Sequence, residues 1–394
     1  MMIQAVLGNP NHPEYGVATI PFPIPRDQYA HCMELLEALE IGDAVKADCK
    51  VEKIDSFYTV LKRTEMLTVN AEELNYLAKR LDSFDTGEAA QFQAMAHKLE
   101  LFELKDLINL TFCCQQTTVI TDFSDLAAIG RDHYMNLHGG SASVDELNKL
   151  DGKGTARQLI ESGSGTITPY GVVYDNGMKL EQVYDGRFFP CYYYEPNAIT
   201  IAVTSKAEPE DTEHITWLFL PMVQEEIDRA LLRGGITDPA DVRLRLEDSQ
   251  LPNEVDVLLD MEYENLSDLN ELAAATDGLS KADMEKLGAV VTLAEPKSAA
   301  QIKNLAKNLD LFDFAPDAHS PADYGKYMIR QSGRFEYDEN LDAFYDYEKY
   351  GAERMNEEDG MFTDRGYIAY KGYYSMEEVM NGSQSSHMEM GGMM

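Results

Sequence analysis

Hydrophobic and polar positions alternate first at the start of the chain, where an apolar strand is predicted over 3–7. A polar loop with Pro and Gly follows, then a second strand that ends at a proline, Val17-Ala18-Thr19-Ile20-Pro21. The period then changes to that of a helix over about 27–39, where Leu35, Leu36 and Leu39 have the spacing of a buried stripe. Gly42 stands where a C-cap glycine would end this helix, and a further strand is expected over 44–54. A helical stretch comes next. Asn70 and Glu73 have capping-box spacing, and helices are predicted over 71–82, 86–99 and 103–110, with Leu99, Leu101, Leu104, Leu107, Ile108 and Leu110 as core. A third stretch combines two short strands around a turn, Gly165 to Tyr174, with an aromatic tract from Arg187 to Tyr194 that reads as a strand.

The same order then begins again. Strands are predicted over 199–203 and 215–221, a helix over 223–232 ended by Gly234-Gly235, and a strand over 242–246. Helices follow over 268–276, 280–293 and 298–309, with Ser267 and Ser298 as capping residues, then a strand pair from Gly360 to Tyr370. A shift of 195 positions lays Leu74-Asn75 on Leu269-Asn270, Asn109-Leu110 on Asn304-Leu305, and Gly130 on Gly325. It also lays Gly165, Thr168, Gly171 and Gly177 on Gly360, Thr363, Gly366 and Gly372. This period is too long for a solenoid and implies duplication of a whole unit. The predicted fold is α+β: an elongated tandem repeat of a three-part unit, each with a small sheet and helix, a helical bundle, and a small mixed α/β part. The expected boundaries are 1–70, 71–136 and 137–195 for the first copy, and 196–265, 266–331 and 332–375 for the second. Residues 376–394, rich in Gly, Ser and Met toward the end, are expected to be a disordered tail.

Charge changes the picture most. The 394 residues carry 69 acidic and 33 basic side chains, a net −36. Residues 1–197 hold 29 and 16 of these, a net −13; residues 198–394 hold 40 and 17, a net −23. Such a chain is unsuited to binding nucleic acid or an anionic membrane, both of which need basic patches. Its natural partner is a basic groove on another protein. Five cysteines with no Cys-x-x-Cys form neither a disulfide framework nor a zinc site, which points to a reducing, cytoplasmic setting. The start lacks a signal-peptide pattern, and no apolar run is long enough to cross a membrane.

No catalytic constellation stands out, so the chain is read as a non-enzyme with no cofactor and no metal. His133 and His138 do not share a helical face, no His-Glu-x-x-His occurs, and the glycines from Gly163 to Gly177 lack the basic residue a phosphate needs. The carboxylates are more telling. They recur at Glu262, Glu264, Asp268, Glu271, Asp283 and Glu285, then Asp310, Asp313 and Asp317. A third group holds Asp338, Glu339, Asp342, Asp346, Glu348, Glu353, Glu357, Glu358 and Asp359. Carboxylates three or four residues apart on a helix are about 5–6 Å apart, a diluted version of a phosphate ridge. At the charge density of DNA, 36 charges would cover roughly 60 Å of axis.

At these residues the chain resembles the ArdA family of antirestriction proteins. The second copy carries the likeness best, in Tyr263-Glu-Asn-Leu-Ser-Asp-Leu-Asn-Glu-Leu-Ala273, Tyr324-Gly-Lys-Tyr327, Tyr345-Asp-Tyr-Glu-Lys-Tyr-Gly351 and Gly360-Met-Phe-Thr-Asp-Arg-Gly-Tyr-Ile368. In the first copy the Tyr-Asp-Tyr-Glu segment has become Leu150-Asp-Gly-Lys153. The resemblance implies a DNA mimic, encoded on a mobile element, that occupies the DNA groove of a Type I restriction–modification enzyme and blocks restriction, modification or both. The acidic residues above would form the mimic surface, and Tyr345, Tyr347, Tyr350 and Gly351 would support self-association. Family members pair as homodimers of one unit, so a two-unit chain is expected as either a monomeric pseudo-dimer or a homodimer. The alternatives are an acidic scaffold without DNA mimicry and an uncharacterised enzyme.

Overall fold

Ile3, Ala5 and Leu7 are fully buried while Gln4 between them is exposed, the period of two that a half-covered strand requires. The computed structural model describes residues 3–207, 213–334 and 336–382. This first strand, β1 (Ile3–Gly8), pairs antiparallel with β2 (Val17–Phe22) and β3 (Cys49–Asp55); β4 (Thr68–Val69) completes a sheet ordered β2-β1-β3-β4. Helix α1 (Tyr29–Glu37) buries Tyr29, Cys32 and Leu36, with Leu39 buried just beyond its end, whereas Leu35 is exposed. The predicted stripe is therefore narrower than the sequence suggests, because neighbours on a helix lie about 100° apart and only one can face the sheet. The helix closes with the Ile41 amide donating to the Leu36 carbonyl at 3.1 Å, which places Glu40 in the left-handed conformation at φ 55°, two residues before Gly42, itself at φ 90°.

Three helices follow: α2 (Ala71–Asp82), α3 (Thr86–Lys98) and α4 (Leu104–Leu110). Asn70 caps α2 by accepting the Glu73 amide at 3.0 Å, but the Glu73 carboxylate turns to the Tyr184 hydroxyl at 2.7 Å, so the reciprocal half of the box is missing. Leu104, Leu107, Ile108 and Leu110 are core, while Leu99, past the end of α3, is exposed and Leu101 half-buried. Next come β5 (Thr118–Ile120), α5 (Leu126–Leu137), α6 (Val144–Lys149), α7 (Gly152–Glu161), β6 (Thr166–Thr168) and β7 (Gly171–Tyr174), the strands forming a sheet ordered β5-β7-β6. The aromatic tract forms no strand. Phe189 stacks on Tyr76 at 4.5 Å and on Tyr184 at 5.2 Å, and the Pro190 carbonyl accepts the Tyr76 hydroxyl at 2.9 Å. The tract is held by its rings, and Pro190 has no amide to give a ladder.

The element order then recurs: β8 (Ile199–Ser205), β9 (Thr216–Leu220), α8 (Gln224–Arg233), β10 (Val242–Ser249), α9 (Asn253–Leu258), α10 (Leu266–Thr276), α11 (Lys281–Ala294) and α12 (Ala299–Ala306). After them come β11 (Phe312–Pro316), α13 (Pro321–Arg330), α14 (Tyr347–Glu357), β12 (Asp359–Thr363) and β13 (Gly366–Tyr370). Their sheets are ordered β10-β8-β9 and β11-β13-β12. Equivalent polar contacts recur too. Asn75 accepts the Ile24 amide at 2.8 Å and Asn270 accepts the Met222 amide at 2.9 Å. Thr168 donates to the Gly171 carbonyl and Thr363 to the Gly366 carbonyl, both at 2.8 Å. The cap of α10 is Asn265, accepting the Asp268 amide at 2.9 Å, rather than Ser267; it stands where the 195-residue shift carries Asn70.

The chain divides into two compact units, one of Met1–Glu195, His214–Thr216 and Val223–Thr237, the other of Pro196–Glu213, Trp217–Met222 and Asp238–Met394. Helix α8 thus sits in the first unit, although its sequence position assigns it to the second copy. Helices α5 and α13, which the sequence reading did not include, pack on α7 and α14. One further expectation is corrected. The stretch from 376 is not a featureless tail from its first residue. Met376–Met380 forms α15, started by a Ser375–Glu378 capping box, with Val379 buried and the Asn304 amide donating to the Met380 carbonyl at 2.8 Å. The rest of that expectation, over 383–394, lies outside the described residues.

Candidate anionic interface

The acidic third part of the second unit is built around a close helix crossing. A Cβ on Gly325 of α13 would lie 2.0 Å from the Tyr347 carbonyl, and one on Gly351 of α14 would lie 1.8 Å from the Pro321 carbonyl. Only glycine at both positions lets the backbones approach so closely. Between the two helices runs a 3-10 turn, Glu339–Phe344. Asp338 caps this turn by accepting the Asn340 amide at 2.9 Å, and Asp346 caps α14 by accepting the Lys349 amide at 3.0 Å. Carboxylates are favoured at these starts because the helix amides and dipole point at them.

The predicted carboxylates fall into three groups. Glu262, Asp310, Asp317, Glu339, Glu348 and Asp359 are exposed and, among the described residues, have no basic group within ion-pair distance. The capping pair Asp338 and Asp346 is also exposed. A second group is engaged internally. Glu271 meets Lys303 at 2.7 Å, Glu285 meets Lys281 at 3.9 Å, Glu353 meets Lys349 at 4.0 Å and Glu357 meets Arg354 at 3.3 Å. Asp313 takes Lys371 at 2.8 Å together with Arg334, and hydrogen bonds from both hold its carboxyl below the usual range against the opposing effect of burial. Glu358 accepts the Tyr324 hydroxyl at 2.6 Å and pairs with Arg354. Asp268 and Asp283 close their own capping turns, bonded to Asn265 at 2.5 Å and to Ser280 at 2.7 Å. Glu264 is half-buried, accepts the Ala299 amide at 2.9 Å, and has its carboxyl pushed up by burial.

Asp342 departs furthest from expectation. One of its oxygens accepts the Tyr347 hydroxyl, the Arg330 Nε at 2.9 Å and the Tyr337 hydroxyl at 2.8 Å. Those hydrogen bonds, the one from Tyr347 first, hold its carboxyl down at about 2. It is a structural hub rather than a free charge. The self-association candidates have internal partners as well. Tyr345 lies between Tyr337 at 6.1 Å and Tyr347 at 5.9 Å, Tyr350 packs against the core around Tyr324 and Tyr367, and Gly351 is buried in the helix crossing. Sequence reasoning missed Phe344, which is 83% exposed, and Leu341, 47% exposed. The available signal was two large apolar residues inside an otherwise acidic segment.

In the first unit the corresponding elements are α5 and α7. They retain the tight crossing, with a Cβ on Gly130 reaching 1.8 Å from the Gly152 carbonyl, but residues 143–164 carry four carboxylates where 338–359 carry nine. That unit instead has a buried cationic core. Arg233 of α8 donates to the carbonyls of Arg187 at 2.7 Å, Ala44 at 2.9 Å and Gly186 at 3.2 Å, lies 3.6 Å from Glu73, and stacks over Phe189 at 4.3 Å. Arg229 donates to Glu72 at 2.5 Å and to the Gly42 carbonyl at 2.7 Å. Neither arginine was singled out from the sequence, where a helix with basic residues reads as exposed.

The side chains considered for chemistry have structural roles. His133 shares a 2.9 Å hydrogen bond with Thr118, and burial lowers its pKa. Burial pushes the Cys32, Cys49, Cys113 and Cys114 thiols up, away from the thiolate a nucleophile needs. Gly163, Gly171 and Gly177 occupy left-handed or extended positive-φ turn positions. Among the described residues, no group of three or more His, Cys, Asp or Glu is placed to hold a metal, and no helix is long and apolar enough to cross a membrane.

A comparison with curated proteins finds no match. Residues 212–369, by contrast, match the family model described as antirestriction protein (ArdA). The matched segment contains β9 to β12 and nearly all of β13, and with them 18 of the 18 carboxylates assigned to the anionic surface. Over residues 212–369 this chain is therefore similar to the ArdA antirestriction proteins.

Proposed function

We propose that the protein is a tandem ArdA-like DNA mimic that occupies the DNA-binding groove of a Type I restriction–modification enzyme and thereby blocks restriction, modification or both. It acts by binding, in the cytoplasm, and not by catalysis. The observation that carries this reading is the coincidence of two things. The segment matching the antirestriction family presents exposed carboxylates without internal basic partners, from Glu262 to Asp359, and lies in the more acidic half of the chain, net −23 against −13. Unpaired carboxylates are the groups free to replace phosphates against Lys and Arg, because a carboxylate already paired internally has little attraction left to offer.

The recurrence of elements and of the Asn75/Asn270 and Thr168/Thr363 contacts supports reading the chain as two copies of one unit, hence "tandem". The test is plating of unmodified phage on cells with an active Type I system. Expression of the full chain is expected to raise plating efficiency by orders of magnitude, with no effect in cells lacking the system. Unchanged plating at confirmed expression would refute the proposal.

A further inference from the structure

The two mixed parts share a frame but not a surface. Residues 338–359 carry nine acidic and two basic side chains, a net −7, whereas the equivalent residues 143–164 carry four and three, a net −1. The helix crossings are retained on Gly325 and Gly130, so the difference lies in what the frame displays. At matched positions Glu339 faces Val144, Glu348 faces Lys153 and Asp359 faces Ser164 in the 195-residue register; Phe344 corresponds to Lys149. Phe344 is 83% exposed, with the exposed carboxylates Asp338, Glu339, Asp346 and Glu348 on either side in sequence. An apolar ring left in water inside an anionic segment costs solvation with no internal return.

We infer that the face of residues 338–359 is the part of the chain that enters the target's groove, with Phe344 as its apolar anchor, and that the matching face of the first unit takes no part. This deepens the proposed function and rests on it. The partner is a groove rimmed by Lys and Arg that also offers an apolar pocket able to take a flat ring, the chemistry of an enzyme that accommodates both phosphates and an unstacked base. The division of labour is physical. Exposed charges steer and are individually worth little, whereas a buried aromatic anchor holds.

The test is displacement of a fluorescent duplex from a Type I modification enzyme by the full chain. Two triple variants change net charge equally: Glu339→Gln/Glu348→Gln/Asp359→Asn in the second unit, and Asp132→Asn/Asp145→Asn/Glu161→Gln in the first. The second-unit variant is expected to compete at least about tenfold less well, a loss that shrinks with added salt, and the first-unit variant within about twofold of the parent. Phe344→Ala is expected to lose about tenfold with little salt dependence, and Phe344→Leu to recover most of it. Equal losses from the two triple variants, or a Phe344→Ala chain that competes like the parent, would overturn this inference while leaving the mimic reading standing. A parent chain that fails to displace the duplex would overturn both.

Discussion

Asp342 accepts hydrogen bonds from side chains of three separate stretches, Arg330, Tyr337 and Tyr347. Asp342→Asn is therefore expected to loosen the Glu339–Phe344 turn, seen as lost near-ultraviolet circular dichroism from its tyrosines. The folded carboxyl, held down at about 2, lies below the value of about 3.9 for a free aspartate. Its contribution to local order is then complete above about pH 5 and is lost as pH falls toward 2. An acid titration in which the tyrosine signal is unchanged down to pH 2 would contradict this. The sequence shows Asp342 as one acid in a run, because partners brought together by folding leave no periodic trace. Glu40 is similar. It holds the left-handed position that Gly235 fills in the second copy, at φ 55° against 82°. Relief of the Cβ strain outweighs the added freedom of the unfolded chain, so Glu40→Gly is expected to stabilise the first unit by about 0.5–1 kcal/mol in urea denaturation.

At the level of elements, most helices were legible because they rest on local periodicity and caps; α2 runs over the predicted 71–82. The failures come from tertiary partners. Arg187 to Tyr194 has strand-like composition, yet its rings stack on Tyr76 and Tyr184 and no ladder forms. Helix α15 is five residues long, too short for periodicity to reveal, and is docked by Asn304. Two substitutions probe the element contacts. Gly325→Ala would place a Cβ 2.0 Å from a backbone carbonyl, so the α13–α14 crossing must open, at a cost of about 1–3 kcal/mol or more. Arg233→Ala would leave Glu73 and three carbonyls around a buried cavity, with an expected loss of about 3–5 kcal/mol in the first unit. Differential scanning calorimetry measures both, and a change below about 0.5 kcal/mol in either would show that the contact is not needed.

At the scale of the whole molecule, the recurring register was the most legible feature, since sequence identities at one fixed shift do not depend on knowing the fold. The acidic candidates were legible only as a class. Which carboxylates are exposed and which are already held by Lys and Arg is decided by packing, as Asp313 with Arg334 and Lys371 shows. Tyr345, Tyr347 and Gly351 are committed to internal contacts. The chain is accordingly expected to sediment as a 44.3 kDa monomer at micromolar concentration, and a particle of twice that mass would contradict this. The central claim is occupation of a DNA groove. The most direct measurement titrates the full chain into a Type I modification enzyme already bound to a labelled duplex, at several duplex and salt concentrations. The account predicts complete release of the duplex, at a midpoint that rises in proportion to duplex concentration and weakens with salt. A stable ternary complex, with the duplex retained while this protein is bound, would contradict it.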